Sequence, residues 1–352
     1  MSDATQLPSA DSAPNAREAP GLGNPLRSFA PALINRRVFL SGVAGALAPM
    51  GCATLSRRGR PLSVLIILAD DLGWGDLSCY GQRDYRTPEI DALAADGVRL
   101  LEAYAASCVC SPTRAALLTG RYPQRLGAGF TSPIVFRASP RPEDAPPVGL
   151  PPGHPTLASL LRARGYRTAL VGKWHLGYPP RFGPLRSGFD EFFGITSGAV
   201  DYFTHRDGAG LPDLYENDVT VERAGYLTDL LSERAIDVIE RAGRTGEPFY
   251  LSLHYTAVHW PWMGPGDRMR AGLSRLRDHA GVTPSVYAEM VRSLDTGVGR
   301  VLARLQTLGL ARDTLVILTS DNGGDRFARH GRLRGAKETL LEGGIRVPAI
   351  VR

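Results

Sequence analysis

The feature that most constrains this chain is an alternation of short, nearly continuous apolar runs with helical stripes. Leu62–Ala69 is almost wholly apolar and breaks at Asp70-Asp71. A run apolar at nearly every position, rather than at every second one, marks a strand buried on both faces. Leu227, Leu231, Ala235, Val238 and Ala242 instead repeat with helical spacing. The same reading predicts helices from Thr87-Pro88 to about Asp96, over Thr156–Arg164 and over Ser285–Leu308. It predicts strands at Val98–Tyr104, Tyr166–Val171, Phe249–Leu253, Leu315–Thr319 and Arg346–Val351. This order implies an α/β fold with a mostly parallel central sheet flanked by helices. Such sheets bind ligands beyond the carboxyl ends of their strands. Asp70-Asp71, Lys173 with His175, His254 with His259, and Asp321-Asn322 all follow strand runs, which marks that end of the sheet as the candidate site.

At 352 residues the chain fits one large domain or two ordinary ones. Of the net charge of +6, residues 1–60 supply seven Arg against three acids, or +4, which leaves +2 for the remainder. No basic run reads as a nucleic-acid footprint, so no nucleic-acid partner is expected. Among 41 basic residues only Lys173 and Lys337 are Lys. An ammonium is a compact point charge and a guanidinium a planar fork, so two lysines among arginines mark places where the fork does not serve. Four cysteines, Cys52, Cys79, Cys108 and Cys110, are too few for a disulfide scaffold.

Residues 1–60 read as a disordered leader. Within it Arg36-Arg37 precedes Val38-Phe39-Leu40 and a run of small residues too short to span a bilayer, the pattern of a twin-arginine (Tat) export signal. An exported, periplasmic or extracellular protein is expected, with a lipid on Cys52 (after Met50-Gly51) as the one route to a membrane anchor.

Asp70, Asp71, Asp321 and Asn322 offer hard oxygen ligands that suit Ca²⁺ or Mg²⁺ rather than zinc or copper. In Cys110-Ser111-Pro112-Thr113-Arg114, Ser111 suits a helix cap and Pro112 a first helical position. That places Cys110 at a helix start, where the dipole favours anions and activates a nucleophile. Spacing alone equally allows a buried structural Cys, or a Cys108–Cys110 thiol pair on a soft metal.

Cys110-Ser111-Pro112-Thr113-Arg114 with its trailing Leu118-Thr119-Gly120-Arg121 resembles the signature of the type I, formylglycine-dependent sulfatases. Asp70-Asp71-Leu72-Gly73-Trp74-Gly75-Asp76 resembles that family's first metal motif, and Gly172-Lys173-Trp174-His175-Leu176-Gly177 its second signature. Gly188–Gly194, Asp321-Asn322-Gly323 and Glu342–Pro348 follow in family order, so the likeness covers roughly residues 62–352 and favours the arylsulfatase-like branch.

The resemblance implies an alkaline phosphatase-like fold over 61–352 and hydrolysis of sulfate monoesters of small molecules or glycans. Cys110 would be oxidised to formylglycine by a maturation enzyme and hydrated to a diol. One hydroxyl would attack sulfur and expel the alcohol; the other would then collapse the adduct, releasing sulfate and restoring the aldehyde, a step for which a plain Ser lacks the second hydroxyl. Asp70, Asp71, Cys110, Asp321 and Asn322 would hold the metal, Ca²⁺ or Mg²⁺. Arg114 would steady the diol and the carboxylates, Lys173 and Lys337 would bind sulfate oxygens, and His175 would assist collapse. His259 would be the acid for the leaving group, with His254 as runner-up. His154, His205, His279 and His330 are expected in solvent, though Asp201–His205 resembles an arylsulfatase stretch that would bring His205 to the pocket. The family normally continues past this point into a smaller C-terminal subdomain, so an exposed sheet edge and a missing pocket wall are expected. Two other readings share these residues: a phosphodiester or phosphonate hydrolase with the same nucleophile, and a non-catalytic binder of sulfated glycans.

Overall fold

The structure, a computed structural model, describes residues 61–136, 148–267 and 282–352. The leader with Arg36-Arg37 and Cys52, and also His279, lie outside the described residues.

Nine strands form one sheet: β1 (Ser63–Ala69), β2 (Val98–Tyr104), β3 (Arg167–Gly172), β4 (Glu191–Ile195), β5 (Leu214–Glu216), β6 (Val219–Thr220), β7 (Phe249–His254), β8 (Thr314–Ser320) and β9 (Arg346–Val351). Their order across the sheet is β2-β9-β8-β1-β7-β3-β4-β5-β6. The five central strands, β8 to β4, run parallel, and both flanks are antiparallel. The helices are α1 (Pro88–Ala95), α2 (Cys110–Thr119), α3 (Leu157–Arg162), α4 (Leu227–Thr245), α5 (Pro284–Thr307) and the short α6 (Glu342–Ile345).

The apolar run of β1 is explained by two cores. Leu65, Ile67 and Ala69 pack with Leu231, Ala235 and Val238 of α4 and with Val291, Leu294 and Val298 of α5. Ile66 packs on the opposite face with Ala115 and Leu118 of α2 and Ala158 of α3. Successive side chains of a strand point to opposite faces, so helices on both sides of the sheet require apolar residues at every position.

Two helix starts differ from the sequence reading. Thr87 precedes α1 but does not cap it: its hydroxyl engages Ser78 and Asp91. The free amides of Glu89 and Ile90 donate instead to Asp295 of α5, at 3.3 and 2.8 Å. Nor does Ser111 cap α2, which begins one residue earlier at Cys110; its Oγ accepts the Ile134 N–H at 3.0 Å. Among the described residues no helix is long and apolar enough to cross a membrane.

Candidate active site

Strand register builds the site. Leu68 of β1 pairs with His254 of β7, Gly172 of β3 with the same His254, and Ala69 of β1 with Ser320 of β8. Four strands therefore end level, and the residues that leave them, Asp70, Lys173 and Asp321, emerge side by side. Asp71 and His175 hold left-handed backbone angles, φ 61° and 53°, that non-glycine residues seldom adopt. Residues held in such conformations cluster at functional sites.

Cys110 is the first residue of α2 and is buried, its Sγ 3.7 Å from Asp70 Oδ1. Arg114, one turn on, is fully buried: Nε lies 3.0 Å and Nη2 2.9 Å from Asp321 Oδ2, while Nη1 donates to the Lys173 carbonyl at 2.9 Å. Lys173 Nζ is 2.5 Å from Asp70 Oδ2, and Lys337 Nζ 2.6 Å from Asp71 Oδ2. Both ammoniums thus rest on carboxylates, a pairing that the sequence reading, which put them on sulfate oxygens, did not anticipate. Asn322 donates from Nδ2 to Asp71 Oδ1 at 2.7 Å.

Burial and neighbouring charge set the protonation states. Burial raises Asp71, but Lys337, His259 and Lys173 outweigh it and hold its carboxyl well below the usual range. Burial, reinforced by the charge of Asp70, pushes Asp321 up to about 6. Burial pushes the Cys110 thiol up to about 12, so the helix start does not make it a thiolate at neutral pH. Burial, then Lys173, holds His175 well below its ordinary value; Nε2 faces the Ile134 carbonyl at 2.9 Å, and the buried Nδ1 has no partner. Burial and Lys337 likewise keep His259 neutral, with Nδ1 2.5 Å from the Trp260 carbonyl and Nε2 3.6 Å from Asp71 Oδ2.

The residues present fit a divalent cation. Asp70, Asp71, Cys110 and His259 bring ligand atoms within 4.8 Å of one another, all four buried. Asn322 Oδ1 is buried without a partner beside them. Three carboxylates (Asp70, Asp71, Asp321) balance three cations (Arg114, Lys173, Lys337), so an arriving anion gains a net attraction only from added positive charge. His259 joins this group, which sequence reading had not placed among the ligands.

Above the cluster lies a cavity of about 480 Å³ whose lining includes Cys110, His175, His259, Trp260, Lys337 and Ile134. Gly198 also lines it, and a Cβ there would sit 2.8 Å from His175 Cε1. Ile134, Trp260 and Gly198 carry no sequence signal, because loops bring them in. His254 faces the core: Nε2 is 2.7 Å from Ser252 Oγ and Nδ1 3.1 Å from the Lys173 carbonyl. His205 is buried, not solvated as expected, and does not line this cavity. His154 and His330 are partly buried. Cys79, Cys108 and Cys110 are all unbonded thiols.

The sulfatase family profile matches residues 63–352. The chain belongs to the sulfatase family. This sulfatase is 35% identical over 314 residues to N-acetylgalactosamine-6-sulfatase of Sus scrofa, a match covering 83% of this chain and 57% of the relative. It is 36% identical to steryl-sulfatase of Mus musculus, covering 83% and 58%. The solved structure of Ps i-CgsB superposes with a TM-score of 0.73 at 32% identity, covering 83% of this chain and 66% of that one. The PsFucS1 sulfatase from Pseudoalteromonas sp. superposes at 0.65 with 28% identity, covering 84% and 62%. This sulfatase thus spans less than two thirds of the length of these curated relatives.

Proposed function

We propose that this sulfatase hydrolyses sulfate monoesters of a glycan or small alcohol, releasing inorganic sulfate, with Cys110 matured to formylglycine by a partner enzyme. The observation that carries this reading is Cys110 itself. It lies buried where a cavity meets three carboxylates, two lysines and two neutral histidines. As a thiol pushed up to about 12 by burial, Cys110 is a poor nucleophile at neutral pH, so the proposed reaction depends on its oxidation. Ps i-CgsB, solved in complex with k-i-k-neocarrahexaose, supports a sulfated glycan as substrate.

Asp70, Asp71 and Asn322 would hold a Ca²⁺ or Mg²⁺ through oxygen atoms, with Asp321 beside them locked to Arg114 and His259 Nε2 left free for proton transfer. When bound, the cation would polarise sulfate oxygens, and hydrated formylglycine would supply one hydroxyl to attack sulfur and a second to expel sulfate as the aldehyde re-forms. The chain's own groups do the remainder. Arg114 fixes Asp321 and the Lys173 carbonyl, and so the end of β3. Lys173 and Lys337 can turn from their carboxylates toward sulfate once a cation takes up the carboxylate charge. His175 presents an unprotonated, unpartnered Nδ1 and lines the same cavity as Cys110, which suits it to take up a proton there. His259 acts as acid only after Nε2 gains a proton, which an anionic ester beside it favours.

The test pairs mass spectrometry of the tryptic peptide Leu100–Arg114 with turnover of an aryl sulfate and an aryl phosphonate. An aldehyde mass at Cys110 and faster cleavage of the sulfate are expected. An unmodified thiol under working maturation removes the nucleophile, and faster phosphonate cleavage reassigns the reaction.

A further inference from the structure

A second cavity, of about 620 Å³, opens between the first turn of α5 (Pro284, Ser285), the turn at Gln82–Tyr85 and the 326–331 loop that follows β8. Its walls carry Arg292, Arg326 and Arg329, and its one lining carboxylate, Asp84, is bound by Arg329. Arg292 lies over the Tyr85 ring, 5.8 Å from its centroid, and Arg326 over Phe327 at 5.3 Å. Neither guanidinium pairs with a carboxylate among the described residues. An arginine supported on an aromatic face keeps its N–H edge free for a bidentate contact to carboxylate or sulfate.

Position ties this cleft to the active site. Arg326 stands four residues beyond Asn322, and four residues span at most about 14 Å even fully extended. The loop returns to the site at Lys337, whose N–H donates to the Gly324 carbonyl at 2.9 Å. Arg326 on the wall of this cleft is therefore no more than about 14 Å from Asn322 of the Cys110 cluster, a span on the scale of a short oligosaccharide.

The geometry points to an accessory anion subsite in this cleft, which binds a second sulfate or carboxylate of an anionic oligosaccharide whose scissile ester occupies the Cys110 cavity. The inference rests on the proposed hydrolysis for its purpose, but the binding it describes is measurable without turnover. A substrate engaging both places gains affinity by linkage that a small aryl sulfate cannot.

The experiment measures calorimetric binding of a chondroitin sulfate hexasaccharide at low salt to the wild-type chain, to Cys110→Ala and to Arg292→Gln/Arg326→Gln. Ser285→Glu serves as a second variant, adding a negative charge to the cleft while removing no cation. Both cleft variants are expected to bind about tenfold more weakly, Cys110→Ala to bind as wild type, and aryl sulfate turnover to be unchanged by the cleft variants. If the hexasaccharide binds in the cleft-dependent way while aryl sulfate is not hydrolysed, the proposed reaction fails and the subsite stands. Equal affinity in wild type and both cleft variants, no binding to wild type, or equal losses on hexasaccharide and aryl sulfate would each overturn the subsite.

Discussion

Lys173 shows how tightly single residues are committed here. It is fully buried with its ammonium on Asp70, and an uncompensated buried charge is far more costly than the pair. Lys173→Met should destabilise the metal-free chain by about 3–5 kcal/mol in urea unfolding, with Lys173→Met/Asp70→Asn recovering part of the loss. An unchanged midpoint for the single variant would show that water or a counter-ion reaches Asp70. His175 and Gly198 make a related point, since the imidazole holds its place only because position 198 lacks a Cβ.

Between elements, two buried carboxylates act as clamps. Asp295 of α5 replaces the absent cap of α1, accepting the amides of Glu89 and Ile90. Asp295→Ala should therefore cost about 1–2 kcal/mol, like loss of an ordinary N-cap, although it lies on another helix. Hydrogen exchange should quicken across α1 before it does in α5. Asp76 joins four donors: Gly73 N–H and Tyr287 hydroxyl on Oδ2, Arg329 N–H and Tyr85 hydroxyl on Oδ1. An amide there turns its NH₂ against a backbone N–H in either orientation, so Asp76→Asn should cost about 2–3 kcal/mol. Burial pushes Asp76 up to about 6 from an ordinary 3.8. A carboxyl raised on folding favours the folded state while protonated, and that contribution disappears as pH rises through its folded pKa. The stability of wild type relative to Asp76→Asn should accordingly fall from pH 4 to pH 6; a flat difference would mean that the four donors cancel the effect of burial.

At the scale of the whole molecule, one edge of the sheet is β2, which among the described residues pairs only with β9. Val98 is 60% and Leu101 49% exposed, and a cavity of about 460 Å³ lies at the far end of the strand, lined by Ala103, Tyr104, Leu117 and Val347. An exposed apolar edge templates pairing between chains. Val98→Lys/Leu101→Lys should lower concentration-dependent association in light scattering while changing stability by no more than about 1 kcal/mol. Equal association in the variant would move the sticky surface elsewhere.

The strands of the parallel core and the long helices were legible in the chain itself, because burial on one or two faces writes a local period into the sequence. So were the motif residues at the strand ends, Asp70, Asp71, Lys173, His175 and Asp321, since an apolar run that stops at a polar residue is also local. The three- and two-residue strands β5 and β6 and the four-residue α6 carry too few residues to show a period. Only the tertiary structure decided that Lys173 and Lys337 sit on Asp70 and Asp71, that His259 joins the metal-competent cluster, that Asp295 caps α1, and that Arg292 and Arg326 share a cleft. Each of these depends on register or packing between segments far apart in the chain. A charged side chain's partner, unlike its helix or strand, is fixed by which of several compatible neighbours the fold brings within hydrogen-bond reach.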